Sequence, residues 1–118
     1  MTRAYLAFTA KGLALAQKLT AAYPGSVARC GHAPGQTGLA EWTAQQFAEC
    51  DALIFVGAVG IAVRAVAPHC RSKASDPAVV VLDECGHFAV PILSGHLGGA
   101  NDLARALADV CGAVPVIT

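Results

Sequence analysis

The sequence is short of charge. Asp, Glu, Lys and Arg make up 14% of its 118 residues, where an average protein carries about 25%. Basic and acidic residues number eight each, so the formal net charge is zero. No Lys- or Arg-rich stripe is present to grip a phosphate backbone, which excludes a nucleic-acid partner. No apolar run approaches the roughly 20 residues that span a bilayer, which argues against a membrane protein. The five cysteines are an odd number and include no C-x-x-C pair. That excludes a disulfide framework and a zinc knuckle, and it fits reduced thiols in a cytoplasmic protein. Two phosphate-binding signatures are also missing. Val59 and Ala62 stand where G-x-G-x-x-G would need glycines, and no G-x-x-x-x-G-K-[ST] loop occurs.

What is there is apolar. Hydrophobic residues make up 55% of the chain. A chain of this size builds one domain with a real core. So little charge implies a sheet covered on both faces, or a surface that meets a further domain or a second copy. The opening MTRAYLAFTAKGLALAQKL mimics a signal peptide, but Lys11 and Lys18 interrupt it and no small-residue cleavage site follows. It is therefore read as part of the fold.

Tyr5–Phe8 reads as a first strand, and Thr9 as the cap of a helix from Lys11 to about Ala22 with Leu15, Leu19 and Tyr23 on one stripe. Pro24-Gly25 stops that helix. Val27–Arg29 is a short second strand, and Gly31–Gly38 a loop. Thr37 opens a helix whose apolar face is Leu39, Thr43, Phe47 and Cys50, with Trp42 beside it. Leu53–Val56 has the uninterrupted apolar character of a strand buried on both faces. Gly57 and Gly60 then form a turn before a helix from Ile61 to about Ala67, ended by Pro68. After a polar loop, AVVVLDE is another buried strand. Cys85-Gly86 makes a hairpin turn into HFAVPIL. A helix to about Val110, a stop at Gly112 and a strand in VPVIT complete the chain. The alternation predicts a three-layer α/β/α domain with a mainly parallel sheet and one antiparallel hairpin strand.

Ligands of doubly wound sheets sit at the carboxyl ends of the strands. Two glycine-rich turns follow strands here, GAVGIAVR (57–64) and LSGHLGGAN (93–101). Each leads into a helix, whose free N–H groups attract anions. Arg64 stands alone in an otherwise uncharged run and is a candidate carboxylate clamp. His96 at a helix start is a candidate base, since the positive helix end favours a neutral imidazole. Ser94 and Asn101 read as caps. Ser94 is a poor nucleophile candidate, because LSGHLG lacks the G-x-S-x-G elbow. Asp83 and Glu84, at a strand end, are alternative bases. His69, Cys70, Cys85, His87 and His96 match no ligand spacing, so no bound metal is expected.

GAVGIAVR, DPAVVVLDE (76–84), LSGHLGGAN and the closing PVIT, in this order and spacing, resemble the cobalamin biosynthesis protein G family, the cobalt-precorrin-5A hydrolases, in their amino-terminal domain. The resemblance runs from about Gly38 onward, and the first third agrees loosely. It implies a hydrolase of the anaerobic cobalamin pathway. Such an enzyme opens the ring-A lactone of cobalt-precorrin-5A and expels acetaldehyde to give cobalt-precorrin-5B. Cobalt arrives with the substrate, and no protein cofactor is implied. Members of the family continue beyond this point, so residues 1–118 are expected to be one domain of a longer chain. With such a substrate, Gly57, Gly60, Arg64, Ser94, Gly95, Gly98, Gly99 and Asn101 are expected to line one tetrapyrrole site, while neither the residues nor the resemblance assigns the base. The N–H groups of Gly98 and Gly99 would hold the lactone oxygen, and His96, Asp83 or Glu84 would activate water. The alternative expectation is a domain that binds tetrapyrrole or docks to other domains without chemistry. A nucleotide-binding domain is disfavoured by the missing fingerprint.

Overall fold

The computed structural model describes residues 1–118. Six strands form one sheet: β1 (Arg3–Ala7), β2 (Ser26–Arg29), β3 (Ala52–Val56), β4 (Ala78–Leu82), β5 (Phe88–Leu93) and β6 (Val114–Pro115). Their spatial order is β2-β1-β3-β4-β5-β6. The first four run parallel, β5 runs antiparallel to β4, and β6 lies parallel to β5. Four helices connect them: α1 (Ala10–Ala22), α2 (Leu39–Glu49), α3 (Val59–Val66) and α4 (Ala100–Cys111). This is the expected three-layer α/β/α domain with its antiparallel strand.

The layers follow from strand parity, because successive side chains point to opposite faces. Tyr5, Ile54, Val56, Val80 and Leu82 face α1 and α4, where they meet Ala16, Leu19, Leu103, Ala104 and Leu107. Leu6, Leu53, Phe55, Val79 and Val81 face α2 and α3, against Trp42, Ala62 and Val66. Trp42 stands edge-on to Phe55, with ring centroids 5.4 Å apart. β1, β3 and β4 are therefore apolar at nearly every position because both faces are covered.

The ends of the elements depart from the expected positions for local reasons. Thr9 caps α1 as expected, its hydroxyl accepting from the Gly12 N–H at 3.0 Å. The buried stripe of α1 is Gly12, Ala16 and Leu19, while Leu15 and Tyr23 are only half-buried. Gly38, not Thr37, is the N-cap of α2, and Thr37 instead bridges to Cys30 beside β2. Trp42 is buried at the centre of the α2 face rather than beside it. Gly60 is not in a turn: α3 starts at Val59, and Pro68 sits inside a short 3-10 turn, Ala67–His69. α4 ends where Gly112 takes a left-handed conformation (φ 75°), as its residue type predicts.

At the far edge, the N–H groups of Val114 and Val116 donate inward to the carbonyls of His87 and Ala89. Pro115, between them, has no N–H to offer outward.

Tyr5 is fully buried, and its hydroxyl donates to the Tyr23 carbonyl at 2.6 Å. Burial pushes its pKa up to about 12. The unfolded phenol ionises near pH 10, so the stabilising difference is complete below that pH and is lost as pH rises through the folded value. Unfolding free energy should therefore fall between about pH 10 and 12, and Tyr5→Phe should flatten this fall in urea titrations taken at stepped pH.

Candidate functional site

The order β2-β1-β3 makes β1 and β3 the switch point of the sheet, where the connections leave to opposite faces. α1 leaves the carboxyl end of β1 toward one face, and α3 leaves the carboxyl end of β3 toward the other. Between them opens a crevice of about 370 Å³, lined by Phe8, Thr9, Val56, Gly57, Ala58, Ile61, Asp83 and Glu84. Its walls are mainly apolar. The first-turn N–H groups of Val59, Gly60 and Ile61 have no intrahelical acceptor, and α3 has no side-chain cap. Gly57 is required for the close approach here: a Cβ at this position would lie 2.8 Å from the Phe8 ring.

The two strand-end carboxylates have different roles. Asp83 Oδ1 accepts from the N–H groups of His87 and Phe88, at 2.9 and 2.7 Å. It thereby closes the hairpin. The tight turn is centred on Glu84-Cys85, with the Gly86 N–H donating to the Asp83 carbonyl at 2.9 Å and Gly86 left-handed at φ 69°. The expected Cys85-Gly86 centre is off by one, because Gly86 serves as the positive-φ residue that follows the turn. Glu84 is half-buried, and one of its oxygens accepts from the Thr9 hydroxyl at 2.5 Å. Its second oxygen has no hydrogen-bond partner in the chain, so Glu84 is the carboxylate with an open acceptor at the crevice. Arg64 lies on α3 without an acidic partner, and its guanidinium folds back toward Gly60, with Nη1 3.7 Å from where a Cβ would stand. Gly57, Gly60, Arg64, Asp83 and Glu84 are thus gathered at the carboxyl edge.

The second glycine-rich turn lies at the other edge. Because β5 is reversed, Leu93 pairs with Val79 at the start of β4, and the chain leaves β5 at the amino edge. Ser94, Gly95, His96, Gly98, Gly99 and Asn101 therefore do not meet Gly57, Gly60 and Arg64, and the single site drawn from both turns divides in two. α4 starts only at Ala100, capped by left-handed Gly99 (φ 81°), so His96 is an exposed loop residue and not at the helix start. Ser94 is not the cap either. Its hydroxyl donates to the Asp76 carbonyl at 3.1 Å, and it holds a strained φ of 57°. The Asn101 amide packs on Gly95, where a Cβ would meet its Oδ1 at 2.8 Å. The carbonyls of Ser94 and Gly95 accept from Ala100 and Asn101, while the N–H groups of Gly95 through Gly99 have no acceptor in the chain. The loop could hold an anion, and its Leu97 and Gly98 share a hollow with Glu49, Asp51 and Asp76. Two neighbouring hollows, of about 390 and 460 Å³, share Phe47, Ala48, Ser75, Asp76 and Pro77. The Asp76 carboxylate there is occupied by the Arg71 N–H, at 3.0 and 3.1 Å.

Sequence reasoning missed Phe8 as a wall of the crevice and read Thr9 only as a cap. Thr9 follows the first strand at the switch point, which was the available signal. No group of three or more His, Cys, Asp or Glu side chains is close enough together to hold a metal ion. Cys85 and His87 are in the hairpin, whereas His69, Cys70 and His96 are at the amino edge. No helix is long and apolar enough to cross a membrane.

Comparison with known proteins gives a consistent set of relatives. Residues 41–118 match the family model described as cobalamin synthesis G N-terminal. The cobalt-precorrin-5A hydrolase of Salmonella typhimurium is 47% identical over 98% of this chain and 34% of its own length. The enzyme of that name from Priestia megaterium is 48% identical over 56% of this chain and 18% of its own. Among solved structures, a cobalamin biosynthesis protein G homolog from Sulfolobus solfataricus superposes with a TM-score of 0.78 at 29% identity, covering 99% of this chain and 36% of that one. The chain therefore spans about a third of the length of the Salmonella and Sulfolobus relatives.

Two substitutions test the local geometry by urea unfolding. Asp83→Ala strips the acceptor from two N–H groups and should cost about 1–3 kcal/mol, with Asp83→Asn costing less. Gly98→Ala would put a Cβ 2.5 Å from the Ser94 Cβ, so it should cost a further-removed but similar 1–3 kcal/mol, roughly, by overpacking.

Proposed function

The chain belongs to the cobalamin synthesis G family, and from that premise we propose that it contributes the hydrolytic centre of a cobalt-precorrin-5A hydrolase, at the carboxyl-edge crevice. The observation that carries this reading is Glu84: a half-buried carboxylate with one free oxygen, at the mouth of an apolar slot between two helix starts. The slot is too small for a whole tetrapyrrole, so it takes the ring-A edge and leaves most of the macrocycle outside. Cobalt belongs to that substrate, and the chain needs no cofactor of its own.

In this reading Glu84 removes a proton from water as it attacks the lactone carbonyl. Thr9 orients the carboxylate. Negative charge develops on the carbonyl oxygen and is met by the free N–H groups at the start of α3, in a site that is mostly apolar. Collapse of the tetrahedral intermediate opens the lactone and frees a hydroxyl. Loss of that hydroxyl proton then drives carbon–carbon cleavage, and acetaldehyde leaves. Arg64 is free to pair with one of the peripheral carboxylates. Gly57 keeps the slot open to the substrate. His96 and the glycines of its loop lie at the opposite edge and are assigned no part in the water activation.

Val59, Ile61 and Val63 are exposed on α3, and Phe88 and Val114 are exposed at the β5–β6 edge. This apolar surface supports contacts with a further domain or a second copy, which would cover the rest of the macrocycle. A cytoplasmic setting fits the free thiols.

Acetaldehyde release from cobalt-precorrin-5A, coupled to alcohol dehydrogenase, tests the proposal. The chain should release acetaldehyde. Glu84→Gln should lower the rate by about 10²–10⁴, while His96→Ala should stay within about threefold of the parent. The reverse ranking would move the base to the amino-edge loop. A folded chain that binds the tetrapyrrole but releases nothing would establish the non-catalytic reading instead.

A further inference from the structure

α3 turns an apolar face to solvent. Ala62 and Val66 pack on the sheet, while Val59, Gly60, Ile61, Val63 and Arg64 are exposed, with Ala67 just beyond. Arg64 is the only charge between Leu53 and Pro68. Elsewhere the helices expose charge, as at Lys18 on α1 and Asp109 on α4. A helix that is apolar all round is one that another surface covers. The face is small for a protein partner. The helix has eight residues and so spans about 12 Å, whereas a stable protein interface takes roughly 800 Å² from each partner. The neighbouring α2 exposes Glu41, Gln45 and Glu49, so the apolar surface does not extend across it. The face is also continuous with the crevice, because Ile61 belongs to both. Its one charge, Arg64, has no acidic partner in the chain. A planar guanidinium stacks on flat rings and pairs with carboxylates.

We propose that the outward face of α3 is a platform for one flat face of the tetrapyrrole macrocycle, with Val59 and Val63 beneath the ring and Arg64 on a rim carboxylate. The ring-A edge then enters the crevice past Ile61, while the rest of the macrocycle stays on the helix. A large, flat, apolar ring with an anionic rim matches both the apolar side chains and the single unpaired cation. The identity of the ring rests on the hydrolase reading, and the platform adds where the part of it outside the slot lies. A further domain or a second copy then meets the opposite face of the ring.

Trp42 is the only tryptophan and lies in the same layer as α3, so quenching of its fluorescence by cobalt-precorrin-5A reports binding without turnover. The titration is made on the Glu84→Gln chain, which holds the ligand unreacted. Val63 is 46% exposed, so polar replacements are tolerated in the free chain. Val63→Gln should raise Kd about threefold through lost apolar contact. Val63→Glu should raise it about tenfold or more, because its charge is pressed against the ring without a partner. Arg64→Met should raise Kd about threefold and lessen its dependence on salt. Gln17→Glu adds the same charge to α1, on the other face of the sheet, and should change nothing. With Glu84 restored, Val63→Glu should raise KM for acetaldehyde release and leave kcat in place, as loss of uniform binding does. Binding by the parent without acetaldehyde release, still weakened by Val63→Glu, would remove the hydrolytic reading and keep the platform. Equal Kd values for the parent, Val63→Gln and Val63→Glu, or no quenching at all, would overturn the platform. So would sedimentation showing a ligand-free dimer that Val63→Glu disperses, which would give the face to a second copy.

Discussion

The two hydrogen bonds from the N–H groups of His87 and Phe88 to the Asp83 carboxylate are what the rest of the architecture depends on. They fix the turn that reverses β5 against β4. Without that reversal the second glycine-rich segment would leave the sheet beside the first, and one composite site would exist. With it, a five-residue link decides which chemistry meets which. Asp83 is thereby committed to backbone, and the adjacent Glu84 is left at the crevice with a free oxygen. Two neighbouring carboxylates thus differ through their hydrogen bonds alone, one holding the chain's path and the other keeping an open oxygen at the crevice.

Much of this fold is legible in the residues. The apolar runs of β3 and β4 announce a sheet covered on both faces, and Thr9 and Gly112 mark helix ends by the conformations their side chains favour. The hairpin was also legible. What was not carried through was its geometric consequence, that a reversed strand delivers its carboxyl end to the opposite edge. Motif reading treats each strand–glycine–helix unit alike, and nothing local to LSGHLGGAN records the direction of the strand before it. The helix starts were displaced for a related reason. Gly60 and Gly99 were read as turn residues, yet one lies inside α3 and the other caps α4, since glycine is compatible with all three settings.

The crevice residues that sequence patterns missed, Phe8 and Thr9, belong to no glycine motif. They matter because β1 is central in the order and its carboxyl end falls at the switch point, a property of topology. Composition bears on the crevice more directly. A chain with little charge lines the crevice with Phe8, Val56, Ala58 and Ile61, and the few polar groups there gain strength from their surroundings. The amino-edge loop has the complementary character, with five unpaired N–H groups and an exposed Leu97.

The β6 edge has its own consequence for assembly. Its two valine N–H groups are spent inward, and the position between them is a proline. A neighbouring strand approaching from outside finds no donor at that position, so the sheet resists extension into a longer ladder there. Association at this flank is thereby steered to side-chain packing on Val114 and Phe88, which can be reversible and selective, and away from open-ended strand addition.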